Sequence, residues 1–141
     1  MKKLFILITI SLELAKKMKK LGFKQESEFY WIERFRQDTP EQIPYYCVET
    51  EGIPYRDSRS SQNIICSAYT VGELGIVLPF EIDGYPLVIT KLKDSWLASY
   101  LDASPCGGHL WIGGNMAKIE GDTMANAMSL LAIWLKENKK I

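Results

Sequence analysis

The stretch that decides the fold is residues 86–101, PLVITKLKDSWLASYL. Its two apolar runs, residues 86–92 and 96–101, contain many β-branched and aromatic side chains, and a polar connection at residues 93–95 separates them. Two runs of this composition joined by so short a connection are typical of a β-hairpin. The chain is therefore expected to contain antiparallel β-structure.

A second hairpin is predicted nearer the amino terminus. Residues 28–36, EFYWIERFR, contain neither Gly nor Pro and predict one strand, and residues 45–50 predict its partner. Shorter strands are predicted at residues 64–68 and 109–112. Together these patterns indicate an antiparallel sheet of about five strands.

Three helices complete the predicted fold. Ser11 is a good N-cap and Gly22 a good terminator for the first helix, while Thr70 and Glu73 match a capping box for a short second helix. Asp122 is the predicted cap of the last helix. The apolar face of that last helix would be Met124, Ala127, Met128, Leu131, Trp134 and Leu135.

The order of these elements predicts an α+β fold in a single domain over residues 1–141. We expect two main helices packed on one face of the sheet and one short helix. Hydrophobic residues make up 47% of the chain and charged residues 24%, which is the composition of a chain that folds by itself.

Charge is balanced over the whole chain but not along it. Lys and Arg number 17, as do Asp and Glu, yet residues 1–24 carry seven lysines against Glu13. The polar face of the first helix is a basic patch, Lys16, Lys17, Lys19 and Lys20. It could contact phosphates or an acidic partner, or simply be solvated. Nucleic acid is disfavoured because the patch lacks interleaved aromatic residues for base stacking.

Cysteine usage and the amino-terminal residues bear on localisation. Cys47, Cys66 and Cys106 are an odd, scattered set, which favours a reducing, cytoplasmic setting over a secreted disulfide framework. Residues 4–10 resemble a short signal-peptide core without a cleavage site, so we predict a strand at residues 5–10, with a processed segment as the alternative. No apolar window is long enough to span a membrane.

Catalytic chemistry has few candidate residues. Cys106 lies three positions before His109, the single histidine, and Asp102 lies upstream. The pair could be a nucleophile and base or two metal ligands, or it could belong to an ordinary glycine turn with a buried cysteine. No zinc-ligand spacing and no phosphate-binding loop is present. The sequence therefore predicts no catalytic residue, no metal and no cofactor.

Aromatic residues are dense in the predicted strands. If one face of the sheet is left uncovered by the helices, the following side chains would form an exposed partner-binding surface: Tyr30, Tyr46, Trp96 and Tyr100. The same side chains could instead form a second small core under the long loops. A third interpretation is a small-molecule or nucleotide-binding protein with a tyrosine-lined pocket.

Four segments resemble a group of small uncharacterised proteins found in bacterial genomes, phages and other mobile elements: residues 11–23, 70–79, 89–100 and 122–141. The shared motifs are helix caps and apolar faces. The resemblance implies a cytoplasmic accessory protein that binds a host or phage protein, and it supplies no catalytic residues to carry over. We therefore expect a non-enzymatic protein that binds another protein, with inhibition of a host defence factor as one mode of action.

Overall fold

The computed structural model describes residues 8–36, 40, 43–50, 63–102, 107–112 and 114–141. The described residues fall into two compact units, one within residues 1–70 and the other within residues 71–141. Each unit combines helical structure with antiparallel strands of its own. The expectation of a single domain stays a prediction.

The first unit contains helix α1 (Leu12–Lys20) and strands β1 (Phe29–Phe35), β2 (Pro44–Thr50) and β3 (Asn63–Ser67). The strands form an antiparallel sheet in the order β2-β1-β3. The predicted hairpin of residues 28–36 and 45–50 is confirmed as the pair β1 and β2. The four elements are consecutive along the chain.

Helix α1 begins and ends where its sequence predicts. The Ser11 side chain accepts a hydrogen bond from the backbone N–H of Leu14, and Gly22 has a φ of +86° just beyond the last turn. Only glycine adopts that conformation without strain. Ala15 and Met18 are fully buried, so this face of the helix lies on the core while the lysines face solvent.

The core of the first unit includes Trp31 and Ile10. The indole N–H of Trp31 donates to the backbone carbonyl of Ile10 at 3.1 Å, so the polar atom of this buried ring is satisfied. The backbone N–H of Ile10 in turn donates to the carbonyl of Tyr69, and Thr9 forms an isolated antiparallel bridge with Thr70. Residues 5–7 of the predicted first strand lie outside the described residues.

The described residues of the second unit form two helices and two sheets. Its helices are α2 (Val71–Val77) and α3 (Met124–Glu137). Its longer sheet has the order β4-β5-β6-β9, and a separate two-stranded sheet pairs β7 with β8. The strands are β4 (Glu81–Ile82), β5 (Tyr85–Lys91), β6 (Trp96–Tyr100), β7 (Trp111–Ile112), β8 (Asn115–Met116) and β9 (Lys118–Gly121).

The hairpin predicted from residues 86–101 is confirmed as β5 and β6. Lys91 pairs with Trp96, and the backbone N–H of Leu92 donates to the carbonyl of Ser95 at 2.9 Å to close the turn. The preceding turn between β4 and β5 has positive φ angles at Asp83 and Gly84. Two consecutive left-handed residues are the conformation of a type I′ turn, which matches the twist of the flanking strands.

The cap of α3 differs from the prediction. The N-cap is Thr123, whose hydroxyl accepts from the backbone N–H of Asn126 at 3.1 Å. The predicted cap, Asp122, lies one residue earlier, where its Oδ1 accepts from the Thr123 N–H and from the Asn126 side-chain amide. Both residue types cap helices well, so the sequence did not distinguish them, whereas the backbone geometry does.

The fold class is α+β, as predicted, but the single sheet of about five strands is wrong. In the described part of the chain the strands form antiparallel sheets of three, four and two strands. The two long helices also do not share one sheet face, because α1 packs on β3 in the first unit and α3 packs on β6 and β9 in the second. Local alternation predicts hairpins, but it does not say which hairpins join a common sheet.

Candidate functional site

Tyr30 and Tyr46 lie on opposite faces of the three-stranded sheet. Both are among the predicted partner-binding residues. Tyr46 is directly opposite Glu33 in the register of β1 and β2, and Tyr30 lies three residues before Glu33. Side chains alternate along a strand, while directly opposed residues share a face. The two tyrosines therefore do not line one common surface of this sheet.

Trp96 and Tyr100 lie on one face of the four-stranded sheet, and this is the face that α3 covers. Gly121 is directly opposite Trp96, and a Cβ atom added at Gly121 would lie 2.5 Å from the backbone nitrogen of Ala127 in α3. Tyr100 lies four residues after Trp96 and shares its face. Tyr100 is completely buried, so the expectation that it forms part of an exposed surface is wrong.

Tyr100 instead supports a segment that ends in an exposed residue. Its hydroxyl donates to the carbonyl of Pro79 at 2.7 Å, and the backbone N–H of Leu87 donates to the carbonyl of Phe80 at 2.9 Å. These two hydrogen bonds hold residues 79 and 80 against the sheet. The Phe80 side chain is nevertheless 82% exposed. A large aromatic side chain is thus presented to solvent on a fixed backbone.

Ile76 in α2 is exposed in the same way. The helix buries Leu74, and Leu78, directly after the last helical residue, is also buried and donates its backbone N–H to the Leu74 carbonyl at 2.9 Å, so the two lie on one face. Ile76 lies between them in sequence and on the other side of the helix, and its side chain is 86% exposed. We define Ile76 and Phe80 as the apolar pair. Neither was identified from sequence, although an isoleucine off the buried stripe of a short helix was a usable signal.

Another exposed aromatic residue lies in the two-stranded sheet. Trp111 is 63% exposed and is directly opposite Met116, which is also exposed. Cross-strand pairs of this kind contact each other, and thioether sulfur packs favourably against aromatic rings. The sheet therefore presents two apolar side chains of its own, separate in sequence from Ile76 and Phe80.

The lysine face of α1 is exposed as predicted, and the structure adds two contacts to it. The ammonium group of Lys19 donates to the backbone carbonyl of Ile65 at 2.6 Å, which joins the helix to β3. The ammonium group of Lys16 lies over the ring of Tyr46, 5.5 Å from its centroid. Lys17 and Lys20 extend the basic patch around the helix. We define Lys16, Lys20 and Tyr46 as the basic–aromatic surface.

Cys66 is a buried thiol near this surface. Burial raises the pKa of Cys66, and the positive charges of Lys19 and Lys16 only partly oppose that rise. The thiolate is the reactive form of cysteine, so a raised pKa keeps the side chain unreactive near neutral pH. Cys66 therefore has the character of a core residue.

The predicted Cys106 and His109 pair is described only in part, because Cys106 lies outside the described residues. His109 forms an isolated bridge with Leu101, and its buried Nδ1 has no hydrogen-bond partner within the described part of the chain. Among the residues that the structure describes, no group of three or more His, Cys, Asp and Glu side chains could hold a metal ion. In the same ranges, every helix is too short or too polar to cross a bilayer.

Comparisons with protein-family models, curated proteins and solved structures find no match to this chain.

Proposed function

We propose that this chain is a non-enzymatic accessory protein, of the kind carried by phages and mobile elements, that binds another protein through the apolar pair Ile76 and Phe80. The observation that carries the proposal is the exposure of both side chains, 86% and 82%. Single exposed apolar residues are common on protein surfaces. An isoleucine near the end of a helix and a phenylalanine just beyond that helix, both highly exposed, are a stronger signal for a binding surface.

The backbone beneath the pair supports the same proposal. Binding costs less free energy when the contacting residues are already held in place, because less conformational entropy is lost. The hydrogen bond from Tyr100 to Pro79 and the one from Leu87 to Phe80 hold the segment in this way. In addition, α2 packs against α3 in the same unit, which steadies the helix that carries Ile76.

The partner that fits such a pair is a protein with an apolar recess. Aromatic and aliphatic side chains inserted into a recess are removed from water, and full burial of one such side chain stabilises a complex by about 1.5–3 kcal/mol. A host factor whose recess is filled in this way would be inhibited by occlusion. This mode of action needs no catalytic residue, which agrees with the single histidine and the missing phosphate-binding loops of the sequence.

A pull-down with quantitative mass spectrometry tests the proposal. The tagged wild-type protein and the double variant I76S/F80S are exposed to the same bacterial lysate. We expect one or more proteins to be retained by the wild type and reduced at least tenfold, as loss of about 1.4 kcal/mol implies, with the double variant. The matched control is I64S/L92S, which removes two partly exposed apolar side chains elsewhere and should retain the partner.

Two outcomes would overturn the proposal. Equal retention by the wild type and I76S/F80S would show that the apolar pair does not contact the partner. A wild-type protein that sediments as a dimer and an I76S/F80S variant that sediments as a monomer would show that the pair binds a second copy of the chain instead.

A further inference from the structure

We propose that the basic–aromatic surface, Lys16, Lys20 and Tyr46, binds an acidic protein segment, and that the segment is a helix with two carboxylates one turn apart. This surface lies in the first unit, so the inference does not depend on the apolar pair. Its starting point is the spacing of the lysines. Lys16 and Lys20 are four residues apart in α1 and are therefore neighbours on the helix surface.

The charge of α1 is not balanced within the helix. Four lysines follow Glu13, which is the acidic residue of the first turn. Neither Lys16 nor Lys20 forms an ion pair within the described ranges. Like charges four residues apart destabilise a helix, and a bound carboxylate removes that repulsion. The surface is thus complementary to an anion.

The helix that carries these charges is held in place. Lys19 donates to the carbonyl of Ile65 in β3, and the buried residues Ala15 and Met18 hold the opposite side of α1 on the core. Lys19 therefore acts as an anchor. Lys16 and Lys20 stay available on a surface whose backbone does not need to rearrange when a ligand binds.

Tyr46 favours a carboxylate ligand over a nucleobase. Tyr46 is 43% exposed, but the ammonium group of Lys16 occupies the position over one ring face where a base would stack. A stacked base would displace that ammonium group and lose the cation–π contact. A carboxylate can instead accept a hydrogen bond from the outer side of the same ammonium group while the ring stays in contact.

The balance of charge over the whole chain also favours a protein ligand. The formal net charge is zero, so the chain has no long-range attraction for the phosphate backbone of a nucleic acid. Two lysines one helical turn apart match two Glu side chains at the same spacing on a partner helix, because both helices have the same rise per turn. The geometry therefore points to a helix with paired acidic residues.

A peptide titration tests this inference. The probe is a fluorescently labelled alanine-based helical peptide with two Glu residues four positions apart, and its control peptide has Gln at both positions. Anisotropy is measured at about 50 mM and at about 300 mM NaCl, because exposed ion pairs weaken with salt. We expect the wild-type protein to bind the Glu peptide at low salt, to bind it more weakly at high salt, and to bind the Gln peptide about fivefold or more weakly than the Glu peptide at low salt.

Variants assign the binding to the surface. K16Q/K20Q should weaken binding by about fivefold or more, as expected for the loss of two exposed ion pairs. K93Q/K140Q removes the same charge from exposed positions of the second unit and should change binding by less than about twofold. I76S/F80S should bind the peptide like the wild type, so the failure of this inference and the failure of the proposed function are distinguishable.

Three results would overturn the inference. The first is no binding of the Glu peptide at protein concentrations up to about 1 mM. The second is an equal loss of binding in K16Q/K20Q and K93Q/K140Q, which would indicate a general charge effect. The third is tighter binding of a labelled single-stranded DNA of matched charge, which would assign the surface to nucleic acid instead.

Discussion

The ammonium group of Lys16 lies over the ring of Tyr46, 5.5 Å from the ring centroid. Lys16 belongs to α1, and Tyr46 belongs to β2, an outer strand of the three-stranded sheet. The contact therefore joins a helix and a strand that are thirty residues apart in sequence. One residue comes from the predicted basic patch and the other from the predicted aromatic set, and the contact places both in one surface.

The contact between Lys16 and Tyr46 can be measured by a double-mutant cycle. K16M keeps most of the aliphatic stem and removes the charge, and Y46L removes the aromatic ring. We expect a coupling free energy of about 0.5–1 kcal/mol from urea unfolding of the wild type, both single variants and the double variant. Effects that add within about 0.3 kcal/mol would show that the two side chains do not interact energetically.

Because Tyr100 is buried, we expect the protein to lose stability at high pH. Burial raises the pKa of Tyr100 from 10.0 to about 12. Because the folded pKa lies above the unfolded one, the stabilisation is fully present below pH 10 and is lost as the pH rises towards about 12. A difference of this size corresponds to at most about 3 kcal/mol. The measurement is the free energy of unfolding in urea at several pH values from about 8 upward.

The matched variant for this measurement is Y100F. Near neutral pH it should be less stable than the wild type by about 1 kcal/mol, because the hydrogen bond to Pro79 is lost. Since a phenylalanine ring cannot ionise, the variant lacks the loss of stability between pH 10 and about 12, and the order of the two proteins should reverse there. Curves that stay parallel would mean that Tyr100 titrates normally in the folded protein.

The position of Gly121 is too close to α3 to accept a side chain. A Cβ atom at this position would lie 2.5 Å from the backbone nitrogen of Ala127 and 2.7 Å from its Cα atom. Backbone atoms at a helix start cannot move away easily, so Gly121→Ala should destabilise the protein by about 1–3 kcal/mol. Gly108→Ala is the control, because a Cβ atom there meets open space. Equal unfolding temperatures for both variants would contradict the close packing of α3 on β9.

The hydroxyl of Thr123, and not the carboxylate of Asp122, is expected to stabilise α3 as its N-cap. T123A removes the hydroxyl that accepts from the Asn126 N–H and should lower the free energy of unfolding by about 1 kcal/mol. T123S keeps a hydroxyl at the same place and should stay close to the wild type. If T123S is as unstable as T123A, the methyl group rather than the cap is responsible. Chemical denaturation of the three proteins decides between these outcomes.

The local elements of this fold were predictable because their signals lie within short segments. The hairpin of β5 and β6 follows from two apolar runs and the polar residues between them, and the first helix follows from Ser11 and Gly22. Caps and turns depend on the conformations open to single residues. Pairing of neighbouring strands needs only a short connection, so sequence patterns suffice for it.

The candidate surfaces were only partly predictable. The lysine face of α1 follows from helical periodicity, and Tyr46 was named as a strand aromatic, but their contact could not be read from either pattern. Tyr100 was predicted on an exposed face and is buried, while Phe80 was not named and is exposed. Alternation along a strand shows which residues share a face, and it does not show which face a helix covers.

The sequence by itself determined the α+β class, the two hairpins, the cap and terminator of α1 and the basic character of that helix. Only the tertiary structure decided that the strands separate into distinct sheets, that Tyr100 supports the residue before Phe80, and that Lys16 meets Tyr46. The physical reason is the distance along the chain over which each effect acts. Propensity, capping and periodicity act over a few residues, whereas burial and exposure depend on how elements distant in sequence pack together.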